Sequence, residues 1–340
     1  MTTLKYIVFV VGASRSGTTM LNRILGRNLS ICALNELHYF GDLYCFNSGE
    51  GFFKEQQLIN VTSKLFARKQ RGIWNDQVKK EDIEKTRVFL KGLPESVDGS
   101  GLFHRFIEHV AVGAGTSIVA EQTPRNIYYA ADLLSNYNDV RILHIIRDPR
   151  AVIASQKRRW SRRKSLKAKN IPILEVLREW ISYHPYTMCL LWRKAFIAGR
   201  NISDNDRYMR LRFEDLVDDS RGVIRQVCDF LEVPFDETML EIEQTDSSIR
   251  VVDNSTIGIQ KVAVDTWKTV LSAGEVILIE RILINEMRDL SYNETNIKAK
   301  IPYLSLLPLA IWFPLHLFGT FLINPQRFII QLRGILFQRV

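Results

Sequence analysis

The chain has 340 residues, 46% of them apolar and 24% charged, a composition that predicts a globular core and excludes disorder as the main state. Lys and Arg number 46 against 37 Asp and Glu, a formal charge of +9. Residues 157–169 (KRRWSRRKSLKAK) hold eight basic residues and no acidic one, so the rest nets only +1 and a uniformly basic nucleic-acid binder is excluded.

Residues 5–11 are an apolar, β-branched run and predict a buried strand. The run is too short for a secretion signal and passes straight into a glycine-rich loop. A helix is expected over 19–27. Helical spacing over 52–72, 80–92 and 102–113 predicts a helical insertion at about 40–115. A short strand follows over 117–122, a helix over 125–135, a buried strand over 140–146 (VRILHII) and a helix over 149–160. A long amphipathic, aromatic-rich helix is expected over 173–198, a strand over 207–212, and helices over 219–231 and 272–289. Strands alternating with helices predict an α/β fold with a central, mostly parallel sheet covered by helices on both faces.

Residues 1–295 read as one domain and 296–340 as an apolar tail. Residues 301–323 contain no Asp, Glu, Lys or Arg, enough for a transmembrane candidate. Pro302, Pro308 and Pro314 argue against a simple spanning helix. Lys298 and Lys300 precede the segment and Arg327, Arg333 and Arg339 follow it, so charge gives no orientation. Attachment to a membrane through 301–340, on its cytoplasmic face, is expected, by spanning or by lying in the interface. Cys32, Cys45, Cys189 and Cys228 form no CxxC pair and read as free thiols of a reducing compartment. The six histidines lack metal-ligand spacing, so no metal is expected. N-x-S/T sequons at Asn28, Asn60, Asn201, Asn254 and Asn293 come without a secretion signal and read as unused.

The sharpest local feature is GASRSGTT at 12–19, between a buried strand and a helix. Its GxxxxG frame suits a phosphate, because backbone N–H groups and the helix N-terminus converge there. The lysine of a nucleotide-triphosphate loop is replaced by Thr18, and the cation moves inside the loop to Arg15. A guanidinium suits a terminal tetrahedral anion.

RSGTTML at 15–21 resembles the 5′-phosphosulfate loop of sulfotransferases that use 3′-phosphoadenosine-5′-phosphosulfate (PAPS). Its arginine looks most like that of the tyrosylprotein sulfotransferases and related bacterial enzymes. ILHIIRDPRAVIAS at 142–155 resembles the family's 3′-phosphate motif, an arginine at a strand end and a serine eight residues later. Arg147 and Ser155 have that spacing, and Arg159 falls where the tyrosylprotein enzymes add an arginine. The resemblance implies a P-loop-like, three-layer fold. It implies PAPS as donor, without a metal. Arg15, Ser16, Gly17, Thr18 and Thr19 would hold the 5′-phosphosulfate, and Arg147, Ser155 and Arg159 the 3′-phosphate. Phe213 stands where the family often has tyrosine beside the cofactor. Ser255 and Lys261, in NSTIGIQK, match a donor-covering loop.

Sulfuryl transfer to a hydroxyl needs a base and cations for the developing charge. The family's glutamate base lies 21 residues after the loop arginine, which here is Glu36; His38 competes with it. Glu121-Gln122-Thr123-Pro124-Arg125 resembles a Lys-Thr-Pro segment, with Gln122 in place of the lysine. The expected acceptor is a hydroxyl of a glycan, glycolipid or protein tyrosine, and no nucleic-acid partner is expected. The alternatives are a non-catalytic, membrane-attached PAPS-binding protein and a P-loop phosphotransferase.

Overall fold

The first apolar run becomes the middle strand of the sheet. In a computed structural model, residues 3–46, 53–94, 96–158, 180, 181, 183–242, 264–295, 304–323 and 325 are described. Among the described residues, five strands, β1 (Tyr6–Val11), β2 (Ile31–Leu34), β3 (Ile118–Glu121), β4 (Val140–Ile146) and β5 (Tyr208–Arg212), lie in the order β2-β3-β1-β4-β5. Every ladder between them is parallel, with Phe9 beside Glu121 on one side and Ile142 on the other. β1 and β4 are buried almost end to end, which requires cover on both faces and explains their unbroken apolar runs. The edge strands are less covered: β2 keeps two half-buried positions and β5 an exposed one. The architecture is the α/β, P-loop-like one expected.

The helices are α1 (Thr18–Leu25), α2 (Tyr39–Asp42), α3 (Glu55–Arg71), α4 (Lys80–Leu90), α5 (Gly99–Ala114), α6 (Ala130–Asn136), α7 (Pro149–Lys157), α8 (Pro185–Arg200), α9 (Phe213–Asp218), α10 (Ser220–Leu231), α11 (Trp267–Val270), α12 (Ala273–Asp289) and α13 (Leu307–Ile323). Several carry the start signals that their sequences announce. Asp98, Asp219 and Ser272 each accept a hydrogen bond from a first-turn backbone N–H, and Ser272 with Glu275 forms a capping box.

The chain divides into two compact units, Met1–Ile146 with Ala198–Ile242, and Arg147–Ile197 with Glu243–Val340. The first contains the sheet. Its core joins Phe9 to Phe40 and Phe103, with ring centroids 6.0 and 5.9 Å away, and Tyr39 packs 4.9 Å from Phe103. In the second unit a buried ion cluster fixes α7. The Arg150 guanidinium meets Asp148 (2.6 Å) and Glu280 of α12 (2.7 Å), and lies 4.3 Å from the Trp267 ring centroid. Lys157 reaches Glu275 at 2.6 Å, so the first member of the basic run is tied internally.

Three local expectations change. The helix expected over 173–198 is interrupted: Trp180 and Ile181 are helical, Tyr183 and His184 are not, and α8 starts at Pro185; 173–179 and 182 lie outside the described residues. Proline starts helices well and disfavours helical backbone in the residue before it. Residues 124–135 split into a 3-10 segment, Pro124–Tyr129, and α6. β2, which no sequence pattern announces, has only four residues and no alternation. Asn28 is buried and donates to the Pro234 carbonyl at 2.9 Å, which closes that sequon to a glycan.

Candidate active site

The loop 12–17 follows the carboxyl end of the central strand, where open parallel sheets bind ligands. Gly12, Arg15 and Gly17 take positive φ values of 155°, 80° and 105°. A Cβ at Gly12 would overlap the Ile145 carbonyl oxygen, and one at Gly17 would sit 2.5 Å from the Phe213 ring. Glycine alone fits both places. Arg15 holds a left-handed backbone without that freedom, at a cost of about 1–2 kcal/mol. Gly17 caps α1 with no side-chain hydrogen bond, and the first turn has no acidic residue. The first-turn N–H groups and the helix dipole are therefore left for an anion. Ser16 is fully buried and its Oγ has no hydrogen-bond partner. A buried hydroxyl left unpaired beside such a nest fits a phosphosulfate or phosphate oxygen. Thr18 is buried, Thr19 is exposed, and Phe213 is buried with its ring against Gly17.

Glu36 comes into line with this loop through Gln122, which follows β3. Gln122 Nε2 donates to Thr18 Oγ1 (3.1 Å) and to Glu36 Oε1 (3.4 Å). His38 Nε2 lies 2.7 Å from Glu36 Oε2. The backbone of 37–38 is tied on both sides. Leu37 N–H donates to Glu121 (2.9 Å) and His38 N–H to Thr123 Oγ1 (3.1 Å). Arg68 of α3 donates from Nη1 to the carbonyls of Leu37 (2.8 Å) and His38 (3.0 Å), and is itself held by Asp76 at 2.9 Å. These ties hold His38 in a left-handed conformation, φ 47°. The Glu36 side chain is 37% exposed and that of His38 only 14%, with Nδ1 buried and unpartnered.

Glu121 anchors this arrangement. Its buried carboxylate accepts from Leu37 N–H, Thr123 Oγ1 (2.5 Å) and Asn126 Nδ2 (2.8 Å). Burial pushes the carboxyl up to about 7, against the opposing hydrogen bonds from Thr123 and Leu37. His144, on β4, is fully buried with Nδ1 2.8 Å from the Tyr208 hydroxyl. Burial pushes it down to about 3, so it is neutral there.

In the second unit, Arg147 is buried immediately after β4, and its carbonyl accepts from Trp192 Nε1 at 3.1 Å. Asp148 caps α7, Pro149 fills its first position, and Ser155 is buried two turns along. The two arginines of the Arg-Asp-Pro-Arg motif thus part company, because Arg150 belongs to the ion cluster with Asp148 and Glu280. Arg159, Ser255 and Lys261 lie outside the described residues, as does the basic run after Arg158. Among the described residues, no group of three or more His, Cys, Asp or Glu side chains is placed to hold a metal ion.

Sequence reasoning gave no role to Glu121 or Arg68. Glu121 stands in the quoted Glu-Gln-Thr-Pro-Arg segment, but its partner N–H is 84 residues away. Arg68 serves backbone carbonyls 30 and 31 residues away, which no local pattern signals.

A model of the sulfotransferase family matches residues 8–237, more than half of the chain. The chain belongs to the sulfotransferase family. Sulfotransferase 2A6 of Rattus norvegicus is 26% identical over 140 residues, which are 41% of this chain and 46% of the relative. The match thus spans about half the length of that curated relative. Among solved structures, the sulfotransferase domain of the Synechococcus PCC 7002 olefin synthase is similar at 19% identity, with 86% of this chain and 97% of that one covered and a TM-score of 0.54. The sulfotransferase domain from the curacin biosynthetic pathway is similar at 20% identity, 86% and 100% coverage and a TM-score of 0.51. At such identities the likeness is one of fold. The sulfotransferase match includes the loop, Glu36, Gln122, Arg147, Ser155, Arg159 and Phe213; Ser255 and Lys261 lie beyond it.

Proposed function

We propose that this sulfotransferase transfers a sulfuryl group from PAPS to an acceptor hydroxyl by in-line displacement, with Glu36 as general base. The observation that carries the reading is the hydrogen-bonded line from Thr18 through Gln122 to Glu36, which ties a carboxylate to the anion-binding loop. Bound PAPS supplies the sulfuryl group and a phosphate leaving group. Arg15, the Ser16 hydroxyl and the amides of residues 16–19 hold the 5′-phosphosulfate. Arg147, Ser155 and Arg159 hold the 3′-phosphate, and Phe213, Ser255 and Lys261 complete the donor site. Glu36 is the more exposed of the Glu36–His38 pair and takes the acceptor's proton, while His38 orients its Oε2. Gln122 brings no charge, so Arg15 is the loop's cation for the transferred group.

The acceptor class is a glycan, glycolipid or protein tyrosine. Residues 1–295 form the catalytic region, and 301–340 attach it to the cytoplasmic face of a membrane.

Labelled sulfate from PAPS, offered with a panel of such acceptors, tests this. Transfer is expected, with Glu36→Gln losing about 10²-fold or more in kcat and keeping donor affinity. No PAPS binding and no transfer would sink the reading. Donor binding without turnover, unchanged by Glu36→Gln, favours the non-catalytic alternative.

A further inference from the structure

Leu304–Ile323 is a 20-residue apolar helix, long enough by length and composition to cross a bilayer. It has two faces, both apolar in sequence and different in structure. One face is docked on its own unit. Gly274, at the start of α12, lies against the Ser305 carbonyl. His184 Nε2 meets the Leu309 carbonyl at 3.1 Å, and the Trp180 and Trp312 rings lie 5.0 Å apart. Phe313 packs on His184 (5.0 Å) and Tyr186 (5.3 Å). His316 is buried, with Nδ1 2.6 Å from the Ile181 carbonyl and Nε2 3.2 Å from Thr187 Oγ1. Gly319 lies so close to Ile181 that an added Cβ would be 2.7 Å from its Cγ2. These anchors run from residue 305 to 319, about 21 Å of helix at 1.5 Å per residue.

The other face is bare. Leu304, Leu307, Ile311, Leu315, Phe318 and Leu322 recur at three- and four-residue steps and are each 54–62% exposed. That spacing puts them in one stripe. Trp180 and Tyr186, amphipathic rings suited to a headgroup boundary, are exposed beside the docked face.

A helix crossing the hydrocarbon core would have to take its anchors along. They include His184, Thr187, the Ile181 carbonyl and the start of α12, where Glu275 pairs with Lys157. Carrying that ion pair and those polar groups into lipid is heavily unfavourable. We propose that Leu304–Ile323 lies in the plane of an anionic membrane interface, its bare stripe in the acyl boundary and its docked face on the protein. This rests on the membrane reading above and settles its form as monotopic. Charge names the occupant. Residues 295–340 contain Lys298, Lys300, Arg327, Arg333 and Arg339 and no Asp or Glu. Cations at both ends match one headgroup layer when the helix lies flat. A second copy of the chain fits less well, because the helix has no charged residue to set the register of a helix pair.

The test uses full-length protein with Cys32 and Cys45 replaced by serine and a single fluorophore-labelled cysteine at 307, 311, 315, 318 or 322. Vesicles of phosphatidylcholine and phosphatidylglycerol carry spin labels at shallow or deep positions. All five sites are expected at one shallow depth, roughly 5–10 Å into the boundary. A depth that grows towards mid-helix and falls again means spanning; it overturns the in-plane proposal and leaves membrane attachment standing. No quenching at any site overturns both. Ile311→Glu with Phe318→Glu is expected to lower vesicle binding at least tenfold and leave PAPS binding in solution unchanged. Undiminished vesicle binding by that variant overturns the assigned stripe. Light scattering that shows a dimer only with the stripe intact, together with no vesicle binding, assigns the face to a second copy instead.

Discussion

Substitution of Glu121 separates charge from hydrogen bonding at the anchor of the Glu36 segment. In Glu121→Gln the retained carbonyl oxygen still accepts from Leu37 N–H and Thr123 Oγ1. The new amide nitrogen faces Asn126 Nδ2, donor against donor. Asn126 Oδ1, however, is buried with no partner, so a half-turn of that amide restores the pair. The change is therefore expected to cost about 1 kcal/mol or less at pH 5. The ionisation acts in the opposite sense. The carboxyl sits at about 7 in the folded protein against an ordinary value of 4.5. Between those values the folded state binds more protons than the unfolded one, so stability falls as pH rises from 4.5 through 7. The gap corresponds to at most about 3 kcal/mol. Urea unfolding at pH 5 and pH 8 should show Glu121→Gln gaining on the wild type by up to that amount at the higher pH. Glu121→Ala instead abandons all three donors. The unpaired Leu37 N–H alone costs about 1–3 kcal/mol. Loss of that tether should lower kcat while donor affinity holds. Equal pH slopes for wild type and Glu121→Gln, or equal losses in the two variants at both pH values, would refute this account.

The phosphate loop makes its own prediction. Gly17→Ala forces a Cβ into the Phe213 ring at φ 105°, so donor affinity should fall at least tenfold, read by titration with the desulfated donor. His38→Gln keeps a donor towards Glu36 and should cost about tenfold in kcat, well short of Glu36→Gln; equal losses would transfer the base to His38. The two motif arginines carry separate predictions. Arg150→Met leaves Asp148 and Glu280 buried without their cation, and about 3–5 kcal/mol of stability should be lost in a thermal melt. Arg147→Met should weaken donor binding at least tenfold, read by titration with the desulfated donor; unchanged donor affinity would remove Arg147 from the donor site.

What could be read in the sequence was local. A buried strand, a glycine-framed turn and a helix start follow one another within a few residues at 5–25, and again, without the glycines, at 140–157. Periodicity, caps and spacing therefore carried both junctions. Arg147 and Arg150 look alike in the sequence, and the pairing of Arg150 with Glu280, 130 residues later, leaves no local pattern. β2 was illegible because four residues on a sheet edge show neither alternation nor an unbroken buried run. Glu121 and Arg68 were illegible for a different reason. Each serves backbone groups far along the chain, and backbone groups leave no residue-type signature.

Gln122 links the anion-binding loop to Glu36. The resemblance places a lysine there, and the glutamine first looks like a loss of catalytic charge. Its one amide nitrogen nevertheless reaches both Thr18 and Glu36. An ammonium at 3.4 Å from Glu36 would form an ion pair and compete with the proton that a base must accept. A neutral amide holds the same carboxylate without that competition. Positive charge towards the sulfuryl group then comes from within the loop, where Arg15 adopts a backbone conformation that a non-glycine residue takes only at a cost. On the proposed chemistry the loop keeps its cation at Arg15, and the neutral amide at 122 leaves Glu36 without a cationic neighbour at that position.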